Sequence, residues 1–132
     1  MTTAYSHSIS FLSSSAFSFL TDEQFDLLRA NGLLARLHEE RGEYFDPHPV
    51  VKLYVPGMRA TWLLSSIDPR TPGIAFGLAD LGFPEMGYIS LDELVELSVG
   101  GELSVRQNRD FHPAKPLSEY ARDARRAGHI VT

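Results

Sequence analysis

The chain contains no cysteine among its 132 residues. This absence excludes disulfide bonds, thiolate zinc sites and cysteine nucleophiles. The sequence also lacks an apolar run of the roughly 18 residues that a membrane-spanning helix requires. Its serine-interrupted start has no basic segment of the kind that begins a secretory signal. These absences predict a cytoplasmic protein with no membrane partner.

Lysine is scarce, with two residues against ten arginines, and the formal net charge is −5. Residues 1–103 hold 14 acidic and 6 basic residues, a net charge of −8, whereas residues 104–132 hold 3 acidic and 6 basic residues, a net charge of +3. A basic end on an acidic body suits an anionic partner, but three excess charges produce only a weak field.

The length suits one domain. Residues 1–19 are predicted to be a Ser/Phe-rich N-terminal extension, and residues 20–132 a single domain. The extension is interpreted either as a loosely held tail or as an added edge strand or partner-binding segment. The second interpretation stays open because phenylalanines are unusual in disordered segments, and the extension contains Phe11, Phe17 and Phe19.

Thr21 is followed by the signals that start a helix. Thr21 and Gln24 match the capping box, and Leu20 and Phe25 can form the hydrophobic staple around it. The apolar side of this helix is expected to contain Phe25, Leu27 and Leu28.

The pair Asn31-Gly32 is a typical helix stop, because both residues tolerate the left-handed conformation. The sequence therefore predicts that the helix ends there. Residues 33–40 are expected to form a second short helical piece, with Leu34 and Leu37 buried.

Two short segments, 50–55 and 60–67, alternate and are rich in strand-forming residues, with Pro56-Gly57 as the turn between them. They predict a β-hairpin. The expected register places Val55 opposite Ala60, Leu53 opposite Trp62 and Val51 opposite Leu64, all on one face.

A third strand is predicted over 74–81, with Ile74, Phe76, Leu78 and Asp80 on one face and small residues on the other. After a turn, residues 86–89 are expected to form a short strand or an extended segment. Ser90 and Glu93 then repeat the capping-box pattern, and Gly100-Gly101 are expected to end that helix. The stretch has no G-x-G-x-x-G or phosphate-loop spacing.

The remaining segments are a strand over 102–109, with Leu103 and Val105 inward, and a helix over 117–127 that stops at Gly128. The apolar side of that helix is expected to hold Leu117, Tyr120, Ala121, Ala124 and Ala127. The predicted fold class is α+β: a small antiparallel sheet of four to five strands with helices packed against it.

Several blocks resemble a known family. PVVKLYVP, ATWLLSSIDP, AFGLADLGFPEMGYISLDEL, RDFHP and PLSEYARDARRAG are together similar to a family of small bacterial proteins classed as a domain of unknown function. The resemblance covers roughly residues 21–130. It implies a bacterial origin on plasmids or other mobile elements, and it implies no reaction, cofactor or binding residue. The segment 33–45 departs from the family pattern, so a partner contact there would be peculiar to this protein.

Four side chains are the candidates for catalysis. Asp80 ends an apolar row and Glu85 follows five residues later, so a close pair could do acid–base work. Alternatively, Asp80 caps the turn at Leu81-Gly82, and Glu85 is solvated or pairs with an arginine. With Asp110 and the loop residue His112, these groups would form a small hydrolytic or metal-assisted site. The histidines, however, lack a metal-ligand spacing.

Two further sets are candidates for binding. The last helix carries three arginines on one face, and with Arg109 nearby they could contact phosphates; equally, they could stabilise the C-terminal end of the helix. One aromatic in each of four elements could line a pocket or belong to the core. These residues are Arg109, Arg122, Arg125 and Arg126, and Tyr54, Trp62, Tyr88 and Tyr120.

The leading hypothesis is a non-enzymatic protein-interaction or regulatory module whose partner is another protein, with no cofactor and no metal. The alternatives are the enzyme built from Asp80, Glu85, Asp110 and His112, and nucleic-acid binding through the C-terminal arginine face.

Overall fold

The computed structural model describes residues 17–99 and 104–132. Within them, the chain forms three helices and five strands. In chain order the elements are α1 (Asp22–Glu40), β1 (Val51–Tyr54), β2 (Thr61–Ile67), β3 (Ile74–Asp80), β4 (Pro84–Ser90), α2 (Leu91–Val99), β5 (Arg106–Gln107) and α3 (Leu117–Ala127).

The five strands form one antiparallel sheet in the order β4-β3-β2-β1-β5. The predicted hairpin register is confirmed, with Leu53 opposite Trp62 and Val51 opposite Leu64. A register shift in β2 between Leu64 and Ser66 separates its two halves as it pairs with β3. Such a bulge redirects side chains, and here it lies beside the cleft described below.

Helices cover both faces of the sheet, which confirms the predicted α+β class. One apolar cluster joins α1 and α2 to the face of Leu53, Trp62 and Leu64. The other joins α3 to the face of Leu63 and Leu78. Because both faces are covered, six of the seven residues of β2 are buried.

The prediction that a helix ends at Asn31-Gly32 is wrong, because α1 runs without interruption to Glu40. Gly32 is buried where α1 crosses β2, and a Cβ atom at Gly32 would lie 1.8 Å from the carbonyl oxygen of Ile67. The Asn31 side chain donates a hydrogen bond of 2.9 Å to the Ser65 carbonyl. Both residues therefore have a structural role at this close crossing of α1 and β2.

The predicted burial of Leu27, Leu34 and Leu37 is wrong, because they lie on the outer face of the uninterrupted helix. Leu27, Leu34 and Leu37 are exposed at 51%, 43% and 47% of their surface, since a single straight helix turns them away from the sheet. Its start is as predicted: the Gln24 amide donates to Thr21 Oγ1 at 3.1 Å, and the Thr21 amide donates to Gln24 Oε1 at 3.0 Å.

The prediction for β3 is confirmed: Phe76 and Leu78 belong to the α3 side of the sheet, and Ala75 to the other. The backbone of β2 lies close to the small-residue face of β3: a Cβ atom on Gly77 would lie 2.0 Å from the Leu63 carbonyl oxygen. At the start of α2, the Glu93 amide donates to Ser90 Oγ at 3.3 Å, as the capping pattern predicts.

Within the described part of the predicted last strand, residues 104–109, only Arg106–Gln107 pair with β1, so the strand is shorter there than predicted. Val105 is buried as expected, while Leu103 and the Gly100-Gly101 stop lie outside the described residues. Helix α3 has the predicted bounds and ends at Gly128, whose φ is 83°. The prediction that Ala127 faces inward is wrong, because Ala127, the last residue of α3, is exposed.

The division at residue 19 stays a prediction, and the structure describes the last residues of the extension. Phe17 and Phe19 are buried in the cluster that contains α1, and the Phe19 carbonyl accepts a hydrogen bond of 3.0 Å from Gln107. No helix in the two described ranges is long and apolar enough to cross a membrane.

Candidate functional site

Asp80 is buried at the end of β3, and its hydrogen bonds explain its position. The backbone amides of Gly82 and Ile130 donate to it at 3.0 Å and 3.2 Å, and Arg59 donates at 3.3 Å and 3.4 Å. Burial raises the pKa of Asp80, but these donors outweigh it and hold the pKa below its ordinary value. The interpretation of Asp80 as a turn cap is confirmed, and its carboxylate also holds the C-terminal tail.

The four catalytic candidates are not brought into one cleft. Asp80 lines a hollow with Arg59, Thr61, His129 and Ile130, whereas Asp110 and His112 line a different hollow beside the start of α3. Glu85 is exposed on β4, opposite Ala79. Within residues 17–99 and 104–132, no group of three or more histidine or acidic side chains could hold a metal ion.

The four aromatic candidates have different environments. Trp62 and Tyr120 are buried at 3% and 4% exposure, and the Tyr120 hydroxyl accepts a hydrogen bond of 3.0 Å from the Ala114 amide. Tyr54 is half-buried. Tyr88, in contrast, is 78% exposed. Three of the four are therefore packed, and Tyr88 alone stands in solvent.

The arginine candidates are all exposed. Among the described residues, none of Arg109, Arg122, Arg125 and Arg126 has a carboxylate within 4.0 Å. The neighbouring Lys115 pairs with Asp123 and lies 4.7 Å from the centre of the Tyr120 ring. This pair raises the pKa of Lys115 and lowers the pKa of Asp123.

A separate cleft of about 290 Å³ lies between the second half of α1, the connector before β1 and the sheet. Its floor is formed by the end of β2 and the start of β3, with Ser65, Ser66 and Phe76. The Ser65 hydroxyl donates to the Phe76 carbonyl at 3.2 Å. Ser66 is 8% exposed, and its hydroxyl has no partner among the described residues. It is a free donor and acceptor at the floor of the cleft.

The second half of α1 and the connector before β1 form one wall of the cleft, through Arg36, Glu39, Tyr44, Phe45 and Asp46. The connector is held by the start of α3. Asp46 accepts hydrogen bonds from both the amide and the hydroxyl of Ser118, and the Pro47 carbonyl accepts one of 3.0 Å from the Leu117 amide. The cap residue Pro116 has no side-chain donor or acceptor to offer, so Asp46 caps α3 from another segment.

The opposite wall and the rim are aromatic. Tyr88 of β4 meets Phe76 edge-on, with ring centres 5.4 Å apart. Tyr44 and Tyr88 line the cleft and are exposed at 79% and 78%. The His38 ring stacks on the Phe45 ring with their centres 4.9 Å apart, and this contact holds the connector against α1.

Two arginines of the cleft are only loosely paired. Arg36 lies 3.9 Å from Glu40, and Arg70 lies 3.8 Å from Asp68. Exposed pairs at such distances contribute little. Both guanidinium groups therefore remain available to a carboxylate or phosphate that approaches the cleft.

The sequence patterns indicated Tyr88 as a binding residue but did not indicate Tyr44, Ser66, Arg36 or Arg70. The predicted departure of segment 33–45 from the family pattern is the one sequence signal that covers two of them, Arg36 and Tyr44. Ser66 carried no signal, because its role depends on the bulge in β2.

A family model described as "Protein of unknown function (DUF2958)" matches residues 19–131. Two curated relatives carry the name GMP synthase [glutamine-hydrolyzing], from Nitratidesulfovibrio vulgaris and Oleidesulfovibrio alaskensis. Each is 32% identical over 90 residues, which cover 62% of this chain. The chain spans only 18% and 17% of the length of these relatives. No solved structure matches the chain.

Proposed function

The chain belongs to the DUF2958 family of proteins of unknown function, and from its geometry we propose that it is a non-enzymatic protein-interaction or regulatory module. Its cleft receives a side chain from an extended segment of a partner protein. The observation that carries this proposal is the pair of tyrosines at the cleft, Tyr44 and Tyr88, with nearly four-fifths of their surface in solvent.

Exposed tyrosines beside a concave floor are typical of binding surfaces. Tyrosine and arginine are enriched among the residues that dominate protein–protein affinity, and these residues tend to fill or border pockets. Here Tyr44 and Tyr88 border a cleft that also contains Arg36 and Arg70. The ordered Phe76–Tyr88 contact reduces the entropy that Tyr88 loses on binding.

The dimensions and charges of the cleft define the ligand. Pockets for drug-sized molecules measure about 300–1,000 Å³, so a cleft of about 290 Å³ accommodates one large side chain. Phe76 and Met86 offer it an apolar contact, and Ser66 offers a hydrogen bond. A carboxylate next to that side chain would reach Arg36 or Arg70. The proposed ligand is an aromatic or large apolar residue flanked by an acidic residue.

A selection from a random-peptide library on the full-length chain tests this proposal. We expect selected peptides to share the aromatic–acidic pattern. We also expect Tyr44→Ala and Tyr88→Ala each to weaken their binding at least tenfold in fluorescence anisotropy. Phe83→Ala is the matched control, because Phe83 is 72% exposed but lies outside the cleft. A selection that yields no ligand, or ligands indifferent to both tyrosine variants, would refute the proposal.

Nucleic-acid binding is a second candidate, favoured by one observation. Arg122, Arg125 and Arg126 are exposed on α3, and no described carboxylate lies within 4.0 Å of them. Phosphate oxygens could reach all three without displacing an existing ion pair.

A bacterial mobile-element origin is also part of the proposal. It is supported by the resemblance of the PVVKLYVP and FGLADLG blocks to proteins of that setting. Genes for conjugation or integration beside the coding sequence are the expected finding, and a consistent position among chromosomal housekeeping genes would contradict it.

A further inference from the structure

Helix α1 has two apolar faces, of which the sheet covers one. Phe25, Leu28 and Gly32 are buried against the sheet. The opposite face carries four leucines that keep about half of their surface exposed. Their exposures are 51% for Leu27, 53% for Leu33, 43% for Leu34 and 47% for Leu37.

The spacing on this outer face is that of a coiled-coil seam. Leu27, Ala30, Leu34 and Leu37 follow one another at intervals of three, four and three residues, the a and d positions of a heptad repeat. A seam of this kind packs against another helix. The part of the chain that the structure describes places no element on it.

We propose that the occupant is a second copy of the chain. The two α1 helices pair antiparallel through their outer faces, and the twofold axis that relates them lies level with position 32 along each helix. This pairing sets Leu27 against Leu37 of the partner and Ala30 against Leu34. Four residues outward at each end, the same spacing reaches Glu23 in the first turn of the helix and Arg41, the C-cap residue that follows its last turn. The antiparallel register therefore places each Glu23 opposite an Arg41.

The parallel pairing is worse in both charge and volume. It would set Glu23 against Glu23, Arg41 against Arg41, and the two Ala30 methyl groups against each other. Like charges in contact destabilise a pairing, and facing small residues leave a void. The antiparallel pairing instead combines opposite charges and a small residue with a large one. The seam is complementary to itself only in this orientation.

The dimer is expected to be weak. A helix of 19 residues is about 28 Å long, and one such contact is small beside the roughly 800 Å² per partner of a standard interface. Asp26 and Glu40 also lie on the same flank of the antiparallel pair, where they repel. We expect a monomer–dimer equilibrium between about 1 µM and 1 mM. The inference does not depend on the cleft, whose residues lie on other faces.

Sedimentation equilibrium of the full-length chain tests the dimer. Leu34→Lys is expected to raise the dissociation constant at least tenfold. Leu97→Lys is the matched control, since Leu97 on α2 has the same 43% exposure, and it is expected to change nothing. A wild-type chain that remains monomeric up to 1 mM, or a dimer unaffected by Leu34→Lys, overturns the proposal and leaves residues 1–16 or another protein as the occupant.

Charge reversal and cross-linking test the orientation. Glu23→Arg should weaken the dimer, and the double variant Glu23→Arg/Arg41→Glu should restore it, because each opposed pair is then again of opposite sign. Since the chain has no cysteine, a mixture of Ala30→Cys and Leu34→Cys oxidised by air should form a disulfide-linked heterodimer, whereas neither variant alone should form a disulfide-linked dimer. Efficient cross-linking of Ala30→Cys with itself would show the parallel arrangement and contradict the inference.

Discussion

The carboxylate of Asp80 lies 3.2 Å from the guanidinium group of Arg59, and this pair fastens the end of the chain to the sheet. Asp80 also accepts a hydrogen bond from the Ile130 amide, while Arg59 donates to the Gly128 carbonyl. The pair thus joins the ends of β3 and α3, which are distant in sequence. Asp80, a catalytic candidate from the sequence, therefore has a structural role.

Asp80→Asn should destabilise the protein by about 2 kcal/mol, because hydrogen bonds to a charged group contribute roughly 1.5–3 kcal/mol and Asp80 is only 3% exposed. Urea unfolding monitored by Trp62 fluorescence measures the change. The exposed Asp110→Asn is the control and should shift stability by less than about 0.5 kcal/mol. A variant as stable as the wild type would show that the tail is held by other contacts.

The Asp80 carboxylate should also contribute to the fall in the free energy of unfolding at acidic pH. Its pKa in the folded state is below the ordinary value of 3.8, so the folded state binds its proton less readily than the unfolded state does. The resulting stabilisation is fully present above pH 3.8 and is lost as the pH falls through the lower folded-state pKa.

Unfolding free energies measured from pH 6 down to pH 2 should therefore decline at the acid end, and Asp80→Asn should flatten that decline. Asp123, whose pKa is also lowered, contributes to the remainder. An identical acid limb in the variant would contradict the assignment to Asp80.

Asp46→Ala should fray the start of α3 and reshape the cleft. Asp46 supplies the side-chain cap that Pro116 cannot supply, and loss of a cap costs about 1 kcal/mol. Hydrogen exchange should accelerate at Ser118 and its neighbours, with little change in α1. Glu43→Ala, an exposed substitution in the same connector, should leave exchange unaltered; equal protection in both variants would refute the capping role.

The second candidate function predicts a steep dependence on salt. If α3 contacts phosphates through its three arginines, replacing them with glutamine should reduce the slope of log affinity against log salt by about 2.7, since each contact contributes about 0.9. Anisotropy with a labelled 20-base-pair duplex measures this slope. If the wild-type chain does not bind the duplex at 20 mM salt, nucleic-acid binding is excluded as a function of this face.

Local chemistry made much of this fold predictable. The Thr21–Gln24 cap and the register of Leu53 with Trp62 depend on residues close in sequence, so their patterns were sufficient. The Asn31-Gly32 stop failed for the opposite reason. Its conformation is decided by contacts with β2 some 34 residues away, which no local pattern reveals.

The cleft could not be predicted for a related reason. Arg36, Tyr44, Ser66 and Tyr88 come from four separate segments, and they become neighbours only once the sheet order and the bulge in β2 are known. Residues that share a sequence motif can be found in advance. Residues that share only a place in space cannot.

Gly32 leaves no side chain between α1 and the backbone of β2, so the helix rests directly on the strand. Arg36 and Glu39 project from the turns that follow and form one wall of the cleft. The width of the cleft therefore depends on the absence of a side chain at Gly32, where α1 crosses β2. A methyl group at position 32 would lie 1.8 Å from the Ile67 carbonyl oxygen, so alanine there would push this wall away from the strand and change the shape of the cleft.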